Sequence, residues 1–161
     1  MNRKPEVESL ISALVGHWTG EGEGEYPTIE PFRYRETLEI TSRPDHPALH
    51  YEQRTWRQTP PGEEVSHWET GLLRLFSGGD VRIINAQGGR SEVMEGTWEL
   101  KDDEWIILLE GSEYAGDERV LRSLRHLRFD GETLSYEMRM ETTATNEMSL
   151  HLTANLTRRS Q

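Results

Sequence analysis

His151 and His67 are the side chains on which this sequence could build chemistry. His151 stands in "LHLTANLT" and His67 opens "HWETG", with Glu69 two positions on. A neutral imidazole offers one nitrogen lone pair to a metal and one N–H to an acceptor, so either residue suits a metal ligand or a proton carrier. Glu69 lies on the same strand face as His67, which makes a local polar pair. In "LHLTANLT", Leu150, Leu152, Ala154 and Leu156 alternate with His151, Thr153, Asn155 and Thr157. Strict alternation with an apolar core places His151 on the solvent face. His46, His50 and His67 raise the question of zinc, but a closed zinc site needs convergent ligands, and spacing does not supply convergence. With 29 Asp and Glu residues, carboxylate pairs occur at every spacing, so none stands out as a glycosidase pair. The chain has no cysteine, which excludes disulfides, thiolate metal sites and Cys nucleophiles.

The elements that must position these side chains begin with "PEVESLISALV", where Val7, Leu10, Ile11 and Leu14 share one helical face. Glu6 and Glu8 suit its first turn and Gly16 its C-terminal end. From there the period is two. Phe32, Tyr34, Leu38 and Ile40 alternate with Arg33, Arg35, Thr37 and Glu39. The same pattern fits "LHYEQRTW", "HWETGLLRLF", "VRIINAQ", "EVMEGTWEL", "EWIILLEG", "RVLRSLRHLRF", "TLSYEMRM" and "LHLTANLT". Turn chemistry separates them at "RPDHP", "TPPGEE", "SGGD", "QGGR", "KDDE", "YAGD", "DGET" and "TTATNE". About ten strands in meander order after one short helix predict an all-β domain over residues 1–161, a sandwich or an up-and-down antiparallel β-barrel.

"GHWTGEGEGEYPTI" places glycines at Gly16, Gly20, Gly22 and Gly24. A phosphate cradle needs strand, glycine turn and then helix, whereas here the helix comes first and strands follow. Alternate glycines on one strand face instead leave room for coiling or for a bulky neighbour. The net charge is −11 with no basic stripe, which argues against nucleic acid and anionic membrane as partners. The first fifteen residues carry charges throughout and no window approaches the length of a membrane span, so the expectation is a cytoplasmic protein.

The ordered motifs resemble the nitrobindin family of heme-binding β-barrels, which have a lipocalin-like, fatty-acid-binding-protein-like shape. "GHWTGEGEGEYPTIEPFRYRE" is similar to that family's GxWxGxGxGxYPTIxxFxYxE opening, with Gly16, Trp18, Gly20 and Gly22 filling the GxWxGxG core. "PALHYEQRTW", "HWETGLLR", "NAQGG", "GETLSYEMRM" and "LHLTANLTRR" match further family segments in order along nearly the whole chain. The chain departs from the family at "RPDHPA" (Arg43–Ala48), where Arg43, Asp45 and His46 replace a histidine, a glycine and a lysine. The loop between Met140 and His151 is one residue longer.

The resemblance implies one heme b per chain, with His151 as the axial iron ligand and an open sixth position. For His151 to reach the cavity, the polar face of its strand must look into the barrel and the leucine face must pack beneath the helix or a neighbouring segment. The family pattern also implies that His67, Gln87 and Met140 line the pocket, that Ser66 makes one wall more polar, and that Arg119 meets a heme propionate. Met140 shares an apolar face with Leu134, Tyr136 and Met138, where a methionine ordinarily fills core. The activity implied is isomerisation of peroxynitrite to nitrate together with nitric oxide binding, for which the iron suffices and no acid–base dyad is needed. A non-enzymatic carrier of a fatty acid or another apolar molecule is the alternative on the same barrel, and a homodimer is compatible with either.

Overall fold

The computed structural model describes residues 4–160. Helix α1 (Lys4–Leu14) precedes ten strands: β1 (Gly16–Gly24), β2 (Phe32–Arg43), β3 (His46–Thr59), β4 (Gly62–Leu75), β5 (Asp80–Gln87), β6 (Ser91–Lys101), β7 (Glu104–Ala115), β8 (Val120–Phe129), β9 (Thr133–Thr142) and β10 (Ser149–Arg158). Each strand pairs antiparallel with the next, and β10 pairs with β1 to close the barrel. Of the two architectures that alternation allowed, the ring is the one formed. Closure leaves no unpaired sheet edge. Among the described residues no helix is long and apolar enough to cross a membrane.

The glycines of β1 serve the interior. Gly22 faces Tyr34 across the β1–β2 ladder, and a Cβ on Gly22 would lie 2.2 Å from the Tyr34 ring and 2.4 Å from the Thr153 carbonyl oxygen. The missing side chain is therefore the space that Tyr34 occupies. At Gly20 a Cβ would fall 2.0 Å from the Asn155 carbonyl oxygen, so β10 can approach only a glycine there.

Alternation sorts the interior into layers. At the end reached by the turns after β2, β4, β6 and β8, Trp18, Leu38, Ile40, Leu49, Leu73, Val81, Trp98, Trp105, Phe129 and Leu156 form a continuous apolar core. Helix α1 plugs that end with Leu10 and Leu14, both fully buried, and with Val7 and Ile11 packed beside them. Arg158 fastens the plug. Its guanidinium donates to the carbonyls of Ala13 (2.6 Å), Ser12 (3.2 Å), Val15 and Gly131 (2.5 Å) and lies over the Trp18 ring. The Ser12 and Ala13 carbonyls are among those a helix terminus leaves without intrahelical donors. The Arg43–Ala48 segment belongs to the β2–β3 turn at this plugged end, away from the opening of the barrel.

Candidate functional site

The opposite end of the barrel holds a cavity of about 400 Å³, within the size range of small-molecule sites. Tyr26 and Pro27 after β1, Arg90 of the 88–90 turn, Asp117 and Arg119 before β8, and Thr143–Thr145 before β10 surround its mouth. Phe32, Val120, Met138, Met140 and Leu152 give it apolar walls, while Tyr34, Gln53, His67, Gln87 and His151 supply polar groups.

His151 enters this cavity and is 2 % exposed. The route differs from the expected one. The leucine face of β10 does not pack outside the barrel, since Ala154 and Leu156 are buried in the interior core and Asn155 is exposed. A β-bulge decides the matter: Leu150 pairs with Arg139 and Leu152 with Met138, leaving His151 as the extra residue. The bulge lets His151 and Leu152 both turn inward although they are adjacent. One inserted residue thus reverses the orientation that strict alternation assigns.

The imidazole is held on two sides. Nδ1 lies 3.0 Å from the Ser149 carbonyl oxygen, and the Tyr26 ring meets it edge-on at 4.7 Å between centroids. A carbonyl can only accept, so Nδ1 carries the proton and Nε2 keeps the lone pair. That is the tautomer an axial ligand requires, with the second nitrogen oriented by a backbone acceptor. The donor set and the apolar walls together fit a heme whose iron His151 would ligate.

The opposite wall comes from β4 and β5, strand β5 lying five places from β10 in the ring of ten. His67 Nε2 donates to Glu69 Oε2 at 3.1 Å, which turns its other nitrogen into the acceptor. Gln87 and Ser66 line the same cavity, as does Met140 on β9. Arg119 sits at the rim, 79 % exposed, with Nε and Nη2 each 2.9 Å from an oxygen of Asp117. The structure therefore gathers His151, His67, Gln87, Met140 and Arg119 around one space. His46 and His50 are exposed and stand apart from His67.

Beneath the cavity lies a polar layer that alternation alone did not single out. Glu69, fully buried, accepts both Nη atoms of Arg125 (2.7 and 3.1 Å), the Tyr51 hydroxyl (2.5 Å) and Asn85 Nδ2 (3.1 Å). Glu92 accepts from Arg125 (2.7 Å), Gln87 (2.9 Å) and Ser123 (3.0 Å). Burial pushes both carboxyls up, but the Arg125 guanidinium overcomes it and holds them below the usual range, as charged acceptors. Among the described residues no arginine hydrogen-bonds Glu36. Burial raises its carboxyl to about 7, against hydrogen bonds from Tyr136 and Gln53 that work the other way. The layer is visible in the letters once the phase is followed: Glu36 occupies the apolar phase of Tyr34, Leu38 and Ile40, and Arg125 that of Leu127 and Phe129.

The barrel is similar to known proteins. The THAP4-like, heme-binding β-barrel domain matches residues 9–158. A peroxynitrite isomerase of Arabidopsis thaliana is 37% identical over 147 residues, covering 91% of this chain and 85% of that protein. Peroxynitrite isomerase 2 of Mycobacterium marinum is 35% identical over 161 residues, covering 97% and 96%. The crystal structure of Rv2717c from M. tuberculosis superposes with a TM-score of 0.86 at 32% identity, over 97% of this chain and 98% of that one. An S-type phycobiliprotein lyase from Guillardia theta shares the fold alone, with a TM-score of 0.64 at 11% identity.

Proposed function

The chain belongs to the THAP4-like heme-binding β-barrel family, the nitrobindins of the sequence resemblance, and from that premise we propose that it holds ferric heme b on His151 and isomerises peroxynitrite to nitrate. Nitric oxide would bind at the same open position. The observation that carries this reading is His151 itself, turned inward by a bulge with Nε2 free toward an apolar-walled cavity.

When bound, the ferric heme would supply the electrophilic iron at which the oxygen–oxygen bond of peroxynitrite breaks and the atoms recombine as nitrate. The chain's residues would bind, orient and exclude water. Ser149 and Tyr26 fix the plane of the His151 ring, so the ligand is preorganised before the cofactor arrives. Phe32, Val120, Met138, Met140 and Leu152 would cover the macrocycle and keep the reacting end dry. On the far wall His67 is tied by its Nε2 proton to Glu69, so it presents an acceptor and not a donor while neutral. Gln87 is likewise engaged with Glu92 and Arg90. Neither His67 nor Gln87 is thus left as a free proton donor to the cavity, which suits a reaction that needs no proton transfer.

The test is stopped-flow decay of peroxynitrite with nitrate and nitrite measured by ion chromatography. Hemin-loaded wild type is expected to speed the decay in proportion to its concentration and to raise the nitrate share. Decay no faster than with the apoprotein would overturn the isomerase reading and leave a carrier of apolar molecules in its place.

A further inference from the structure

We propose that Arg90 is an oxyanion seat at the cavity mouth, receiving either a carboxylate of the bound porphyrin or the small anion that reaches the iron. The proposal rests on the heme reading above. Arg90 ends the 88–90 turn between β5 and β6 and lines the cavity, with its side chain 13 % exposed. Its Nε is buried and has no hydrogen-bond partner among the described residues. Buried N–H groups of a cation are almost always satisfied, because leaving one bare forfeits its hydration without return.

The neighbours do not fill that need. Nη2 donates to the amide oxygen of Gln87 at 3.2 Å, a neutral acceptor. The nearest carboxylate oxygen, Glu92 Oε1, stands 3.8 Å away, beyond hydrogen-bond reach, and already accepts from Arg125 and Gln87. Arg125 also has an unpartnered Nε, but its Nη atoms hold two carboxylates. Asp117, the acid on the mouth loop, is taken bidentately by Arg119. Of the two arginines lining the cavity, Arg119 is therefore spent and exposed while Arg90 is sheltered and without a carboxylate hydrogen bond. A shielded guanidinium edge is the group that receives a carboxylate or a nitrogen oxyanion with geometric precision.

Location and charge point the same way. The β5–β6 turn lies across the ring from β10, so Arg90 faces His151 over the cavity. The chain carries a net charge of −11, so an anionic ligand needs a local cation to offset the overall repulsion. The turn that presents it is fixed by the hydrogen bond from Gln87 N to the Arg90 carbonyl (2.8 Å).

The experiment titrates apoprotein with iron-free protoporphyrin IX and with its dimethyl ester, followed by fluorescence, for wild type, Arg90→Gln and Arg90→Lys. Without iron, ligation by His151 does not enter the readout. A second arm measures azide binding to the hemin-loaded proteins by the Soret shift. If the porphyrin carboxylate is the ligand, Arg90→Gln weakens the free acid about tenfold or more, Arg90→Lys weakens it less, and the ester binds all three equally. If the small anion is the ligand, both porphyrins are unaffected and azide affinity falls by a similar factor. Affinities unchanged in both arms, or free acid and ester weakened alike, would overturn the seat and leave the heme reading standing. A wild type that takes up neither hemin nor porphyrin would overturn both.

Discussion

Glu36 is a buried carboxyl at the end of a chain of hydroxyls. Its Oε2 lies 2.6 Å from the Tyr136 hydroxyl, which lies 2.8 Å from the Tyr34 hydroxyl, which donates to the Thr153 carbonyl at 3.0 Å. Tyr136 donates to Glu36 Oε2, and Gln53 Nε2 donates to Oε1 at 2.8 Å. Burial raises its carboxyl from 4.5 to about 7, against the hydrogen bonds it accepts from Tyr136 and Gln53. An acid whose folded value is raised binds more protons in the native state between those two limits. Its stabilising contribution is complete below about pH 4.5 and is lost as pH rises through about 7, by about 3 kcal/mol. Glu69 and Glu92 work oppositely, since their lowered carboxyls favour the fold above the ordinary carboxylate range and lose that contribution as pH falls below it. Thermal melts should therefore peak near pH 5, and Glu36→Gln should abolish most of the decline between pH 5 and pH 8. A Glu36→Gln protein with the wild-type pH profile would show that Glu36 is ionised throughout. The pocket residues His67, Gln87 and Met140 were legible from motifs. Glu36, Glu92 and Arg125 were passed over because a charged letter in a strand looks alike on either face, and only its phase against Leu38, Met94 or Leu127 marks it as internal.

Among the elements, β10 and β1 carry the consequences. Deleting Leu150 would turn the bulge into regular pairing, leaving Leu152 inward and His151 outward. Far-UV circular dichroism should remain that of the barrel while the histidine-ligated Soret band is lost. Retention of that band in the deletion variant would contradict the role given to the bulge. On β1, Gly22→Ala would drive a methyl into the Tyr34 ring and the Thr153 carbonyl, a clash that the backbone must absorb. Overpacking of this kind costs about 1–3 kcal/mol, measurable as a lowered urea midpoint with an unchanged slope. The strands themselves were legible, since period-two runs are separated by turns rich in Gly, Pro, Asp or Asn. The bulge was not, because an inserted residue leaves composition and turn signals intact and shifts only the register, which is a property of the partner strand.

The whole molecule separates its tasks along the barrel axis: a helix-plugged apolar end, a polar layer of paired charges, and an open cavity. Stability and ligand binding should therefore respond to different mutations. Leu10→Ala empties part of the plug, which is fully buried, and should cost about 2–5 kcal/mol in urea unfolding while leaving the heme spectrum unchanged. A shifted Soret band in that variant would show that the two ends communicate. The layering explains why meander topology could be read from turn spacing, whereas the choice between a sandwich and a closed ring depended on β1 meeting β10, a contact between the two ends of the chain that no local signal encodes. The family resemblance implies that closure. The claim at the centre of the account is that His151 is the iron ligand, and the most direct test is a hemin titration of wild type and His151→Ala followed at the Soret band. A sharp ferric, histidine-ligated spectrum at one equivalent in wild type, lost in the variant, is the predicted result. Identical spectra in the two proteins would contradict it.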